Sequence, residues 1–194
     1  MSRTICLING HPDASADRFC SALTSAYEDA AREAGHTVSR FDVGAMSFDF
    51  LNSAAEMAEP APEAIRAVQI ALERADHLTL IHPLWLGAIP AKAKALLEHV
   101  ARDNFLIDPA EEGQWPVKRM RGKSARVIVT MGMPGFAYRL FLGSHSIKAL
   151  EGGILRMAGF KPVRDIIFGM VDAGDAARRE RMLAKVAALG ARAA

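Results

Sequence analysis

Short apolar runs bounded by turn-forming residues alternate along the chain with stretches whose apolar positions recur every three or four residues. These are the two periods that separate strand from helix. Thr4-Ile5-Cys6-Leu7-Ile8 reads as a buried strand, stopped by Asn9-Gly10-His11-Pro12. From Arg18 to Ala34, Phe19, Leu23, Ala26, Tyr27 and Ala30 keep helical spacing, and Gly35 supplies the stop. His36 to Val43 alternates and gives a second strand, Gly44 to Pro62 is irregular, and Pro62 opens a helix through Arg74. The stretch Leu78 to Glu98, LTLIHPLWLGAIPAKAKALLE, then holds a strand ending at His82-Pro83, a loop with Trp85 and Gly87, and a helix opened by Pro90. That helix ends near Arg102, and a long loop follows from Asp103 to Gly122. Arg126 to Thr130 is another buried strand, broken by Met131 to Gly135, and Phe136 to Ser144 is apolar and aromatic. A helix over His145 to Met157, a strand over Lys161 to Met170 and an alanine-rich helix over Gly174 to Leu189 complete the pattern.

Strands alternating with helices through short connections predict an α/β fold, a single domain over residues 1–194 with a doubly wound, five-stranded parallel sheet; the irregular segment after the second strand suits the flavodoxin-like order 2-1-3-4-5, which periodicity alone does not fix. In such sheets ligands bind beyond the carboxyl ends of the strands, where strand order reverses. Composition agrees: 194 residues, 51% apolar and 24% charged, suit one soluble globular domain. With a formal net charge of +2 no global field favours nucleic acid, which is not expected as a partner. The basic residues Lys118, Arg119, Arg121, Lys123 and Arg126 read as a solvated loop. The start of the chain lacks a signal-peptide pattern, and prolines and lysines interrupt the apolar region Leu78 to Leu97, so no membrane insertion and a cytoplasmic location are expected. Cys6 and Cys20 lack metal-type spacing and read as core thiols; with no H-E-x-x-H, C-x-x-C or spaced carboxylate set, no metal site is expected.

The first loop, Gly10 to Phe19, carries neither G-x-G-x-x-G nor G-x-x-x-x-G-K-[ST]. It delivers a helix N-terminus, where free N–H groups and the helix dipole attract an anion, and Ser15, His11 and Arg18 can add contacts to a phosphate. The same letters also suit a simple helix cap by Ser15 or Asp17. Pro83-Leu84-Trp85-Leu86-Gly87 offers a flat aromatic and main-chain polar groups to a planar ligand, although Trp85 is equally compatible with a core role. Thr130-Met131-Gly132 ends the next strand, with a glycine that permits close backbone approach. Tyr138 and His145 follow, a phenol and an imidazole able to assist charge developing on a nearby ring, or alternatively a packing residue and a helix cap.

Together these loops resemble the flavodoxin-fold NAD(P)H:quinone oxidoreductases, the DT-diaphorase-like family, in its short bacterial form. The resemblance rests on His11-Pro12-x-x-Ser15, on Pro83-Leu84-Trp85 with Gly87 and Pro90-Ala91, on Thr130-x-Gly132, and on Gly153-Ile154-Leu155 with Gly159-Phe160. It implies that His11, Ser15, Arg18 and Phe19 bind the phosphate of a flavin, FMN with FAD as the alternative. It also implies that Pro83, Leu84, Trp85, Leu86 and Gly87 pass the isoalloxazine, and that Thr130, Met131 and Gly132 contact its pyrimidine side. Tyr138 and His145 resemble the family's pair that assists hydride transfer. The third loop reads T-M-G-M-P where the longer enzymes have a second Thr and a Gly pair, and their C-terminal extension is missing. The activity implied is hydride transfer from NAD(P)H through the flavin to a quinone-like acceptor, in a homodimer with a shared active site near Phe136 to Leu142 and Trp115. The rivals are a flavin-bearing ancillary subunit of a potassium efflux system and a one-electron flavodoxin carrier.

Overall fold

Five parallel strands form the central sheet of the computed structural model, which describes residues 1–110, 115–173 and 175–194. In chain order the strands are β1 (Thr4–Asn9), β2 (Thr37–Asp42), β3 (His77–Pro83), β4 (Ile107–Asp108), β5 (Val117–Lys118), β6 (Ser124–Thr130) and β7 (Val163–Phe168). The main sheet runs β2-β1-β3-β6-β7 with every pairing parallel, the flavodoxin-like topology expected from the sequence. The helices are α1 (Phe19–Glu33), α2 (Ala54–Ala58), α3 (Glu63–Arg74), α4 (Ala91–Val100), α5 (Gly135–Phe141), α6 (His145–Leu150) and α7 (Ala176–Gly190).

Side chains on a strand point alternately to opposite faces, so a sheet covered on both sides needs apolar residues at nearly every position. β1 shows this directly. Cys6 and Ile8 join Leu78, Leu80, Val127 and Val129 in one core with Ile65 and Val68 of α3 and Leu96 of α4. Ile5 and Leu7 join Ile81 and Ile128 in a second core with Leu23 and Tyr27 of α1 and Val186 and Leu189 of α7. α1 and α7 approach so closely that a Cβ on Gly190 would lie 2.1 Å from the Tyr27 carbonyl oxygen. Both thiols are buried and free, as the pattern predicts.

Four segments differ from the sequence reading. The stretch read as irregular contains α2, because Ser53 accepts the Glu56 N–H at 3.2 Å and caps a helix too short to show a period. The apolar aromatic segment is helical: α5 follows Pro134 and turns Tyr138 inward while Phe136 and Leu140 stay exposed. The helix expected over His145 to Met157 is α6 followed by a wider π turn over Glu151–Arg156. In the long loop, β4 and β5 pair as a small antiparallel ribbon. Gly113 of that loop and Gly174, the expected start of the terminal helix, lie outside the described residues.

Candidate functional site

Asn9 closes β1 and fixes the first loop. Its Nδ2 donates to Asp42 Oδ1 (2.8 Å) at the end of β2 and to Ser21 Oγ (3.3 Å) on α1, while its Oδ1 accepts the His11 N–H (3.2 Å). Asp13 then organises the turn: Oδ1 accepts the Ser15 N–H (2.8 Å) and Oδ2 takes Arg18 Nε (2.7 Å) and Nη2 (2.6 Å). The Ser15 amide first, and the Arg18 guanidinium after it, hold the Asp13 carboxyl below its ordinary range. His11 accepts the Asp13 N–H at Nδ1 (3.1 Å), and its pKa lies below the ordinary value, lowered by burial first while Asp13 opposes the shift. Ser15 Oγ accepts the Asp17 N–H (3.2 Å), which leaves its own O–H free to donate outward. Neither Ser15 nor Asp17 caps α1. Arg18 occupies that place in extended conformation with no side-chain cap among the described residues, so the first N–H groups of α1 and its positive dipole end remain available to an anion.

The second loop leaves β3 beside the first. Leu84 N–H donates to the Thr130 carbonyl (2.7 Å), and Trp85 and Ala88 exchange two 2.9 Å backbone hydrogen bonds. These enclose Leu86 (φ 48°) and Gly87 (φ 78°), both in the left-handed region of a two-residue turn. Glycine adopts that geometry freely, whereas leucine at position 86 is strained, and its side chain is held fully in solvent. The half-exposed Trp85 ring stands edge-on to His11, centroids 5.8 Å apart at 83°. Pro83 is buried and Leu84 packs partly against the core, so the exposed apolar surface of this loop is Trp85 with Leu86.

The third loop starts at Thr130, whose Oγ1 lies 3.3 Å from Cys20 Sγ on α1, one residue after Phe19. Met131 is buried and Gly132 exposed; a Cβ on Gly132 would lie 2.8 Å from Asp172 Oδ2 in the loop after β7. A Cβ there would push the Asp172 carboxylate aside, so glycine lets that carboxylate lie against the third loop. The three sequence-nominated loops therefore meet at the carboxyl end of the sheet, through the His11–Trp85, Leu84–Thr130 and Cys20–Thr130 contacts.

Gly44, just after β2, was not singled out by the sequence, although it supports the first loop from below. A Cβ there would sit 2.5 Å from the Ala14 amide nitrogen, and Lys92 of α4 donates from Nζ to the Gly44 carbonyl (3.0 Å). Asn9 was missed too, although a polar residue closing a buried strand is a signal in itself.

Tyr138 and His145 are placed apart from these contacts. Tyr138 is 1% exposed, and its phenol oxygen has no partner among the described residues. His145 is exposed at the start of α6, with its ring against Gly143, where a Cβ would lie 2.9 Å from Nε2. The stretch that joins them exposes Phe136, Leu140 and Phe141. Among the described residues no helix is long and apolar enough to cross a membrane.

A family model described as the flavodoxin-like fold matches residues 3–191. A Haemophilus influenzae protein named "uncharacterized NAD(P)H oxidoreductase" is 27% identical over 182 residues, 91% of this chain and 89% of that one. Among solved structures, the NAD(P)H:quinone oxidoreductase of Methanothermobacter marburgensis superposes with a TM-score of 0.83 at 25% identity, covering 98% of each chain. An FMN-dependent NADH-azoreductase of Bacillus anthracis in complex with FMN superposes with a TM-score of 0.77 over 99% of each chain; at 14% identity it speaks for the fold alone.

Proposed function

The chain belongs to the flavodoxin-like fold family, and from that membership we propose that it is an NAD(P)H-dependent flavin oxidoreductase with a quinone-like acceptor. The observation that carries this reading is the meeting of the three loops at the strand tips, with an uncapped helix start on one side and an exposed indole on the other. The relatives named as NAD(P)H oxidoreductase and NAD(P)H:quinone oxidoreductase point the same way.

The cofactor we propose is FMN. The free hydroxyl of Ser15, the N–H groups at the start of α1, His11, Arg18 and the backbone at Phe19 would hold its phosphate. Pro83, Leu84, Trp85, Leu86 and Gly87 would line the ring and exclude water from it; Thr130, Met131 and Gly132 would meet its polar edge. When bound, flavin supplies two-electron chemistry linking a nicotinamide to an acceptor, and the protein supplies orientation and charge stabilisation. Arg18 must exchange part of its bond to Asp13 for the phosphate, which an exposed pair does at little cost. His145 would present Nε2 to charge developing at the acceptor, and the phenol of Tyr138, buried and unpartnered among the described residues, would have to turn out of the core to donate its proton there. A second copy of the chain would cover Phe136, Leu140, Phe141 and Trp115 and complete a shared site.

Purified protein is expected to be yellow, to release a cofactor with the mass of FMN, and to oxidise NAD(P)H only with a quinone present. Ser15→Ala or Arg18→Gln should each weaken flavin retention about tenfold, the loss of one charge-assisted contact. A colourless preparation that refuses added flavin overturns the proposal, and a yellow one without turnover favours an ancillary flavin subunit. Tyr138→Phe should cut turnover about tenfold with flavin still bound, and it should leave the melting temperature unchanged or higher because it deletes a buried unsatisfied oxygen. Unchanged turnover would reduce Tyr138 to a packing residue.

A further inference from the structure

The strands begin about 20 Å from the loops described above, the length of a six-residue strand. At that opposite pole lies a cleft of about 560 Å³. Its lining is strongly basic: Arg3 before β1, Arg126 on β6, Arg164 on β7, Arg192 after α7, and Lys161. Arg126 and Arg164 are register partners on neighbouring parallel strands, so their side chains leave the same face about 4.8 Å apart. Like charges placed directly across a sheet repel. Among the described residues none of the five cations forms an ion pair. Two acidic side chains lie nearby: Asp76, which lines the cleft and accepts the Thr4 N–H at Oδ2 (2.8 Å), and Asp165, whose Oδ2 binds Arg139 (2.8 Å) and which offsets part of the repulsion at Arg126.

Arg126 is the informative member. It is 7% exposed, lines the cleft, and its Nε has no hydrogen-bond partner among the described residues. Its guanidinium is held below its ordinary value by burial first and then by Arg164, with Arg192 adding to the repulsion. Beside it His77, with Nε2 equally unpartnered, is pushed down to about 3 by burial and by Arg126 and Arg3. A buried, unpaired cation ringed by other cations is costly in an empty site, and an anion placed among them would pair with the outer guanidinium nitrogens of Arg126 and cancel the repulsion. Guanidinium forks match phosphate oxygens in geometry, several of them call for more than one anionic charge, and the volume is that of a small-molecule site.

We infer that this basic cleft binds a small molecule bearing a pyrophosphate or longer polyphosphate group, at a site separate from the strand-tip loops. Inorganic polyphosphate and a nucleoside polyphosphate share that chemistry. The test uses the intact protein saturated with FMN, so that the strand-tip loops are filled. Sodium pyrophosphate and ADP are titrated by calorimetry and by thermal shift, against sodium chloride of equal ionic strength. Pyrophosphate should bind and raise the melting temperature where chloride does not. ADP binding about tenfold tighter would identify a nucleotide as the ligand, and equal binding would identify the polyphosphate group alone; both support the inference. Arg164→Gln, at an exposed position, and Arg126→Met should each weaken binding at least about tenfold. Without probe, Arg126→Met should melt higher than the parent because it removes an uncompensated buried charge. Absence of binding by both probes, binding that survives both substitutions, or a lower melting temperature for Arg126→Met with binding intact would overturn the inference.

Discussion

Gly44→Val is expected to strip flavin from the protein while leaving it folded. The Cβ of any residue at this position would come within 2.5 Å of Ala14 N, 2.6 Å of the Asp13 carbonyl carbon and 2.8 Å of Ala14 Cα. All three are backbone atoms, which cannot swing aside as a side chain can, so the first loop must move as a unit. That loop is tied at one end by Asn9 and internally by Asp13, and its displacement carries Ser15 and Arg18 away from the start of α1. Loss of the phosphate contacts should weaken flavin binding by well over tenfold, about 1.4 kcal/mol for each factor of ten. The change lies outside both cores, so cooperative unfolding should persist. The measurement is the flavin-to-protein ratio after gel filtration, with the dissociation constant from quenching of flavin fluorescence. Gly152→Ala, where a Cβ meets nothing within 4 Å, is the control that should retain flavin. Equal retention in Gly44→Val and the control would show that the position of the first loop does not govern binding.

Acidification is expected to destabilise the fold well above the range where carboxylates titrate. His82 is 1% exposed, donates from Nδ1 to the Pro83 carbonyl (2.9 Å), and is lowered by burial to about 4; His77 is lowered to about 3. An unfolded histidine titrates near 6.5, so between that pH and the folded values the unfolded chain binds protons that the native one refuses. Stability is therefore fully present above about pH 6.5 and falls as pH drops, by about 1.4 kcal/mol per pH unit for each histidine. Both together remove on the order of 5 kcal/mol by about pH 4.5, a large fraction of the stability of an ordinary domain. Urea unfolding at pH 7 and pH 4.5 measures this, and His82→Gln should remove about half of the difference. A pH-independent midpoint would mean that both rings accept protons in the native state.

Much of this architecture is legible in the sequence because burial on both faces writes near-continuous apolar strands, as in β1 and β3. The loops after β1, β3 and β6 are equally visible, since Gly10-His11-Pro12, Trp85 and Gly132 interrupt those runs abruptly. What escapes is information held between segments. Gly44 matters only because another loop passes over it, and nothing near residue 44 announces Ala14. The turn at Leu86 places leucine in a conformation that local preference would assign to glycine or asparagine. Arg126 sits among basic neighbours and reads as part of a solvated run. The alternation of β6 decides otherwise, turning it toward Tyr27 and α7 while Lys118 and Arg119 stay outside. Tyr138 is assigned by α5, whose seven residues are too few to show which side faces inward before the packing is known.

Burial has one more effect, on sulfur. Desolvation pushes the Cys6 thiol up to about 12 and that of Cys20 up to about 11, the latter in spite of its contact with Thr130. Nucleophilic attack requires the thiolate, and neither residue supplies it near neutrality. Cys20 lies beside the strand tips where electrons are proposed to pass, yet it is chemically silent there. Its environment guards against a stray oxidant capturing a sulfur atom a few ångströms from the working end of the sheet.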